Sequence, residues 1–363
     1  MSRTLPALAL FFGFALAAIP ALAEPLDRVW ERGVPAPREG RIVEETFAEV
    51  RMEVPGAILG VPLDRVERIE WAGPPASFAK ALEFEAAGRW QAALEVWRKL
   101  DGACRAGQAR AVFRPHALWH AARAANLLEL HAEAAETART LFRDFPATGH
   151  WLPAAFLWVD ATLAGGKREA AQAVARERIE AARSLGLTEE LRLEAELLEP
   201  RARAGPEAAA EYRLVARRAA RFPRVVALAK LGQARALLLA GRLDEAEAAA
   251  APVAEQPLPP LLIAEAHATL AEIDLARHAR DRNPDRLRAA LLHFLRGVVQ
   301  YPPDQPSEPG RHGQSLLGAG WCFEQLGGAP CREHARRLYA QASERYADRA
   351  VGKEADRRLE GMR

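Results

Sequence analysis

Lysine is scarce in this chain. Of its 50 basic residues only Lys80, Lys99, Lys167, Lys230 and Lys353 are lysines, and the rest are arginines. These 50 face 48 acidic residues, so the net charge of +2 leaves no surplus of either sign. Nucleic acid and anionic membranes recruit partners through such a surplus, so neither is an expected partner. The arginine and alanine excess reads as coding bias before it reads as a phosphate-binding device. Cysteine is nearly absent as well: Cys104, Cys322 and Cys331 are an odd set and cannot make a disulfide framework. Cys322 and Cys331 flank a helix hairpin with a Gly327-Gly328-Ala329-Pro330 turn. At a rise of about 1.5 Å per residue they are offset by roughly 6 Å along the axis. A bridge needs Cα atoms within about 7 Å, so one is possible there but disfavoured. There is no serine elbow, no Cys-His pairing with supporting spacing and no standout carboxylate pair. Gly318, Gly320, Gly327 and Gly328 follow no strand, which excludes a phosphate loop. No catalytic residue and no cofactor is expected.

Long apolar runs are confined to the start. Arg3, the stretch Leu5 to Ile19 and Ala21-Leu22-Ala23 have the order of an export leader cleaved after Ala23. The stretch falls short of the ~20 residues that span a bilayer. Residues 1–23 are therefore read as a signal peptide, with an uncleaved anchor as the alternative. No Cys follows the cleavage point, which argues against a lipid anchor. The expected location is periplasmic or secreted, without stable membrane insertion after cleavage.

Residues 24–73 read as short strands. Asp27 to Trp30 is the first, Gly33 to Gly40 a loop, and Arg41 to Thr46 the second. Val50, Met52 and Val54 alternate with Arg51 and Glu53, the period of a half-buried strand. Pro55-Gly56 is a turn, Ala57 to Val61 a strand, and Val66, Ile69 and Trp71 finish the unit. Five short strands in so small a span predict a strongly bent antiparallel barrel. Gly73-Pro74-Pro75 ends it, since Pro can neither extend a strand nor enter a helix interior.

From residue 76 to 363 the grammar changes to helix pairs. Apolar helices end in Gly turns and are followed by Ala-rich helices. Phe145-Pro146, Phe222-Pro223, Tyr301-Pro302 and Tyr346-Ala347 close four of the units. Seven pairs are predicted. They begin near Phe78, Arg114, Trp151, Thr188, Val225, Leu261 and Gly310, and a charged capping helix runs over Ala350 to Leu359.

Leu118, Ala121, Ala122 and Ala125, then Ala134, Ala138, Leu141 and Pro146, resemble the tetratricopeptide repeat, a helix-turn-helix unit of about 34 residues. Gly241-Arg242-Leu243-Asp244-Glu245-Ala246 and Gly88-Arg89-Trp90-Gln91-Ala92-Ala93 are further copies of its turn. The strand unit, with Glu39 to Glu45, Val61-Pro62-Leu63 and Val66 to Ile69, resembles SH3-like or Sm-like barrels that precede other modules in bacterial envelope proteins. Together these imply a mostly α fold, a tetratricopeptide-like α-solenoid of helix-turn-helix pairs preceded by a small antiparallel β-barrel. They also imply an exported, non-enzymatic scaffold that holds a protein or peptide on its concave face.

His116, Trp119, His120, Arg123 and Asn126 share one helix at helical spacing and are the expected partner-binding residues. In repeats of this class the first helices line the concave face. His116 and His120 stand i, i+4 and can reach one metal ion. The alternative is therefore a metal-dependent hydrolase. His116-Ala117-Leu118-Trp119-His120 lacks the Glu of zinc-hydrolase helices, and His150 is the one candidate third ligand. Trp151 and Trp158 share a helical face, as core or as groove.

Overall fold

The computed structural model describes residues 25–302 and 311–362. The expected leader, 1–23, and most of the long loop Pro302 to Pro309 lie outside the described residues.

Strands β1 (Asp27–Glu31), β2 (Arg38–Glu45), β3 (Glu49–Val54), β4 (Ala57–Pro62) and β5 (Val66–Glu70) form one antiparallel sheet of order β4-β3-β2-β1-β5. Val50 and Met52 are fully buried while Arg51 is exposed, as the alternation requires. The predicted loop is shorter than expected, because Arg38 to Gly40 already pair with β1. β2 then changes partner: Arg41 onward pairs with β3, across a register shift between Ile42 and Glu44. Such a shift bends the strand and increases its twist. The predicted closure does not occur among the described residues. β4 and β5 are the two edges, and the sheet is open.

The rest is helical. α1 (Ala76–Ala86) and α2 (Trp90–Arg105) are followed by α3 (Phe113–Leu127) and α4 (His131–Asp144), then α5 (Trp151–Ala164) and α6 (Arg168–Ser184). Next come α7 (Glu189–Ala195), α8 (Leu198–Arg203), α9 (Ala208–Arg218), α10 (Pro223–Leu239) and α11 (Leu243–Ala254). The chain continues through α12 (Pro260–Asp281), α13 (Pro284–Val299), α14 (His312–Leu326), α15 (Ala329–Arg345) and α16 (Ala350–Gly361). The two copies of the Gly-Arg turn adopt the same backbone. Gly88 and Gly241 both take φ of +71°, which glycine supplies without a side-chain clash. The single helix expected over Thr188 to Ala204 is broken into α7 and α8. Pro200 has no N–H to give, so it is accommodated in the first turn of a restarted helix.

Packing is local. Successive helices pack on one another from α1 to α6 and from α8 to α16, and α3 also touches α5, α10 touches α12, and α14 touches α16. The buried apolar residues divide accordingly into clusters that each span neighbouring helices. Trp151 and Trp158 belong to the first cluster and are core residues. That cluster also takes in Val29, Ile42, Val50, Met52 and Val61 of the sheet, so sheet and first helices share one apolar interior.

The two ends of the array touch. Asp348, between α15 and α16, accepts a hydrogen bond at 3.3 Å from the backbone N–H of Gln91 in the first turn of α2. A run of sequentially packed helices whose last turn meets its second helix is curved. The three cysteines are free thiols; burial pushes that of Cys322 up to about 12.

Candidate functional site at the sheet–helix joint and the inner wall

The sheet is fastened to the helices by backbone and by charge. The β2–β3 turn pairs with the α4–α5 connection. Phe47 N–H donates to Ala147 O at 3.0 Å, Gly149 N–H donates to Glu45 O at 3.3 Å, and Thr46 bridges Thr148. Beside this, Arg110 donates to both carboxylate oxygens of the buried Asp27, at 3.0 and 2.5 Å, and to Ile42 O at 2.8 Å. Burial pushes the Asp27 carboxyl up. Arg110 and the N–H groups of Ile42 and Ala72 outweigh that and hold it below its usual value.

This joint brings the expected binding residues together. Four of the five gather between α1, α3 and the α4–α5 connection. His116 Nδ1 lies 2.9 Å from His150 Nε2, and its Nε2 lies 3.2 Å from Glu45 Oε2 without hydrogen-bond alignment. Trp119 stacks on His150 with ring centroids 5.6 Å apart. His120 stacks on Trp97 at 4.6 Å and puts Nδ1 2.9 Å from Glu85 Oε1. Arg123 Nη1 donates to Glu85 Oε2 at 3.3 Å, and Trp97 Nε1 donates to Glu85 Oε1 at 2.8 Å. Asn126 stands apart, its Oδ1 3.2 Å from His131 Nδ1. Burial first, then the neighbouring His116 and His120, hold the His150 imidazole well below its usual value. It is therefore neutral at pH 7.

The i, i+4 pair does not converge on a common point. His116 turns to His150 and Glu45, while His120 turns to Glu85. Among the described residues no group of three His, Cys, Asp or Glu side chains is arranged to hold a metal ion.

Glu85 is the organising residue that sequence reasoning missed. It is 2 % exposed and gathers Trp97, His120 and Arg123. Its signal was present: Phe78, Ala81 and Glu85 fall on one helical face, so a carboxylate occupies an apolar-face position. A buried carboxylate needs such partners, because desolvation disfavours its charge.

A second group of ionisable side chains was also missed. Asp160 of α5 pairs with Arg201 of α8, whose Nη2 donates at 2.7 Å. Arg235 of α10 pairs with Glu265 of α12. Arg311, leading into α14, donates to Glu272 of α12 at 2.8 Å. Each pair joins helices from consecutive units. Burial, with the charges of Arg311 and Arg201, pushes Arg235 down to about 9. Burial alone pushes Arg311 down to about 10. Arg235 thus feels the charges of both Arg201 and Arg311. The same relationship reaches the far end: Arg349, beside Asp348, is pushed down by burial and by Arg123. Arg123 therefore lies where the two ends of the array approach. Compared with models of known protein families and with curated proteins, the chain matches none.

Proposed function

We propose that the chain is an exported, non-enzymatic scaffold that binds a protein or extended peptide on the inner face of a curved, tetratricopeptide-like helical array. One observation carries this reading. Successive units are joined by paired charges, Asp160–Arg201, Arg235–Glu265 and Glu272–Arg311, in an array whose ends touch, which supports a charged inner surface. Such a surface is preorganised: each side chain is held by a neighbour in the next unit. The pairs carry equal numbers of positive and negative groups, which suits a polypeptide with its own donors and acceptors. Trp119, with Arg201 set 5.4 Å over the ring of Phe156, adds apolar contact. The strand order, a meander with β5 returned beside β1, favours an SH3-like origin for the sheet, which braces the first helices. The leader expected over residues 1–23 supports a periplasmic or secreted location for this scaffold.

A photo-crosslinking residue placed at Trp119 or Phe156 tests the reading in cells. The same discrete polypeptide adduct is expected at both and not at Leu292 on α13, an exposed second-helix position. Trp119→Ala and Arg123→Ala should weaken its capture with helicity unchanged. Equal adducts at all positions, or capture that survives both changes, refutes the assignment. Mass spectrometry of the mature N-terminus tests cleavage after Ala23. The rival metal-dependent hydrolase reading predicts stoichiometric zinc that disappears in His120→Ala.

A further inference from the structure

Away from the joint, a cleft of about 440 Å³ opens between α11 and α13 over α12. His267 of α12 and His293 of α13 meet in it, with Nδ1 atoms 3.1 Å apart. Tyr301 stacks on His267 at 6.0 Å between centroids. Two Nδ1 atoms approach this closely only when one carries hydrogen and the other offers its lone pair. Burial first, then nearby positive charge, depresses both imidazoles, His267 to about 4.

The spacing has a coordination meaning. Once the hydrogen bond is given up and each ring turns its Nδ1 lone pair toward the cleft, nitrogens 3.1 Å apart, each ~2.0–2.1 Å from one ion, subtend about 98° there. That is the angle between adjacent positions of a square-planar or octahedral shell, and a small opening of the pair makes it tetrahedral. We propose that His267 and His293 form a binding site for one divalent transition-metal ion of the imidazole-preferring class, Cu²⁺ first and Ni²⁺ or Zn²⁺ after it. The ion gives up two waters and gains two Nδ1 bonds. The ring that had donated its Nδ1 hydrogen carries it on Nε2 instead, so no proton is released near neutral pH. No third His, Cys, Asp or Glu completes a cage among the described residues. The remaining positions face the cleft and take water or a donor atom of a ligand entering it. Glu247, on the cleft wall, is held by Arg277 at 2.6 Å and lends its negative charge to His293. The other histidine pair, His116 and His150, has no such space, because Trp71, Phe78 and Trp119 pack around it.

The test uses the untagged full chain, stripped with chelator and titrated separately with Cu²⁺ and Zn²⁺ by calorimetry. One Cu²⁺ per chain is expected, with electron paramagnetic resonance couplings from two nitrogens. His293→Gln keeps a hydrogen-bonding side chain yet should weaken binding at least about tenfold. His267→Phe should do the same, and His334→Gln at an exposed position of α15 should change nothing. Wild-type affinity in both cleft variants, or loss of the site in His334→Gln, would overturn the proposal.

Discussion

Asp348 caps a helix that begins 258 positions earlier in the chain. Its carboxylate accepts the N–H of Gln91, one of the four donors that the first turn of α2 cannot satisfy internally. A negative charge there also complements the positive end of the α2 dipole. The bond draws the last turn of the array against its first pair and brings Arg349 within electrostatic reach of Arg123.

Replacing Asp348 by Ala should cost about 0.5–1 kcal/mol, the usual worth of an exposed cap. The larger effect should be on shape. Spin labels on α2 and α16 should report a longer and broader distance distribution in Asp348→Ala, with helicity unchanged. An unaltered distribution would mean that the ends are held by other contacts.

The buried Asp27 pairs with Arg110 and also accepts the N–H groups of Ile42 and Ala72. Asp27→Ala leaves two amides without their acceptor and the Arg110 guanidinium without its carboxylate, holding Ile42 O alone of the partners described above. The expected loss is about 3 kcal/mol in a denaturant melt. The pH dependence has a definite sign. The folded carboxyl sits below its ordinary 3.8, so the unfolded chain binds the proton more readily. The contribution is complete above that value and is lost as pH falls through the lower folded value. In Asp27→Ala this acid-sensitive component should be missing.

Four histidines set a milder pH response. His150 is held well below 6.5, His293 below 6.5, and His267 and His312 at about 4, each chiefly by burial. Below 6.5 the unfolded chain takes up protons that the folded chain refuses, so stability falls with pH in this window. Each histidine contributes at most about 1.4 kcal/mol per pH unit below its unfolded value. The melting temperature should be level between pH 7 and 8 and should fall between pH 6.5 and 5. A level curve down to pH 5 would contradict the burial of these rings.

Gly232 of α10 has the Tyr212 ring against it, and a Cβ there would stand 2.4 Å from the ring. Gly232→Ala should therefore cost about 1–3 kcal/mol by overpacking. A second readout follows. Burial pushes the Tyr212 phenol up to about 12. If alanine displaces the ring toward water, one tyrosine should titrate closer to its ordinary value of 10.0. Unchanged stability and titration would show that the α9–α10 contact yields without cost.

Much of the fold was legible because the signals that make it are local. Alternation at Val50, Met52 and Val54 marked β3, and Pro55-Gly56 marked the turn into β4. The Gly88 and Gly241 turns were legible as copies of one element. The break at Glu196 to Leu197 was not, because Ala-, Leu- and Glu-rich residues on both sides favour helix equally. Pro200 was the available sign, and it restarts the helix. Whether the sheet closes was beyond a strand-by-strand reading. Closure depends on how far β2 bends and on which strand ends meet, which are tertiary properties.

The candidate site divides along the same line. Helical spacing alone put His116, Trp119, His120 and Arg123 on neighbouring faces of α3. It could not supply Glu45 and Glu85, which arrive from β2 and α1, while His150, named from the sequence as a candidate third ligand, arrives from the α4–α5 connection. Nor could it find the cross-unit pairs Asp160–Arg201 and Glu272–Arg311, separated by 41 and 39 positions.

By itself the sequence determined which segments are strands and helices, where they turn and which faces are apolar. Those are properties of backbone preference and side-chain period over a few residues. Only the tertiary structure decided that the sheet stays open, that Asp348 returns to α2, and which charges face one another across units. Burial and electrostatics at those places depend on atoms that are distant in the chain and adjacent in space.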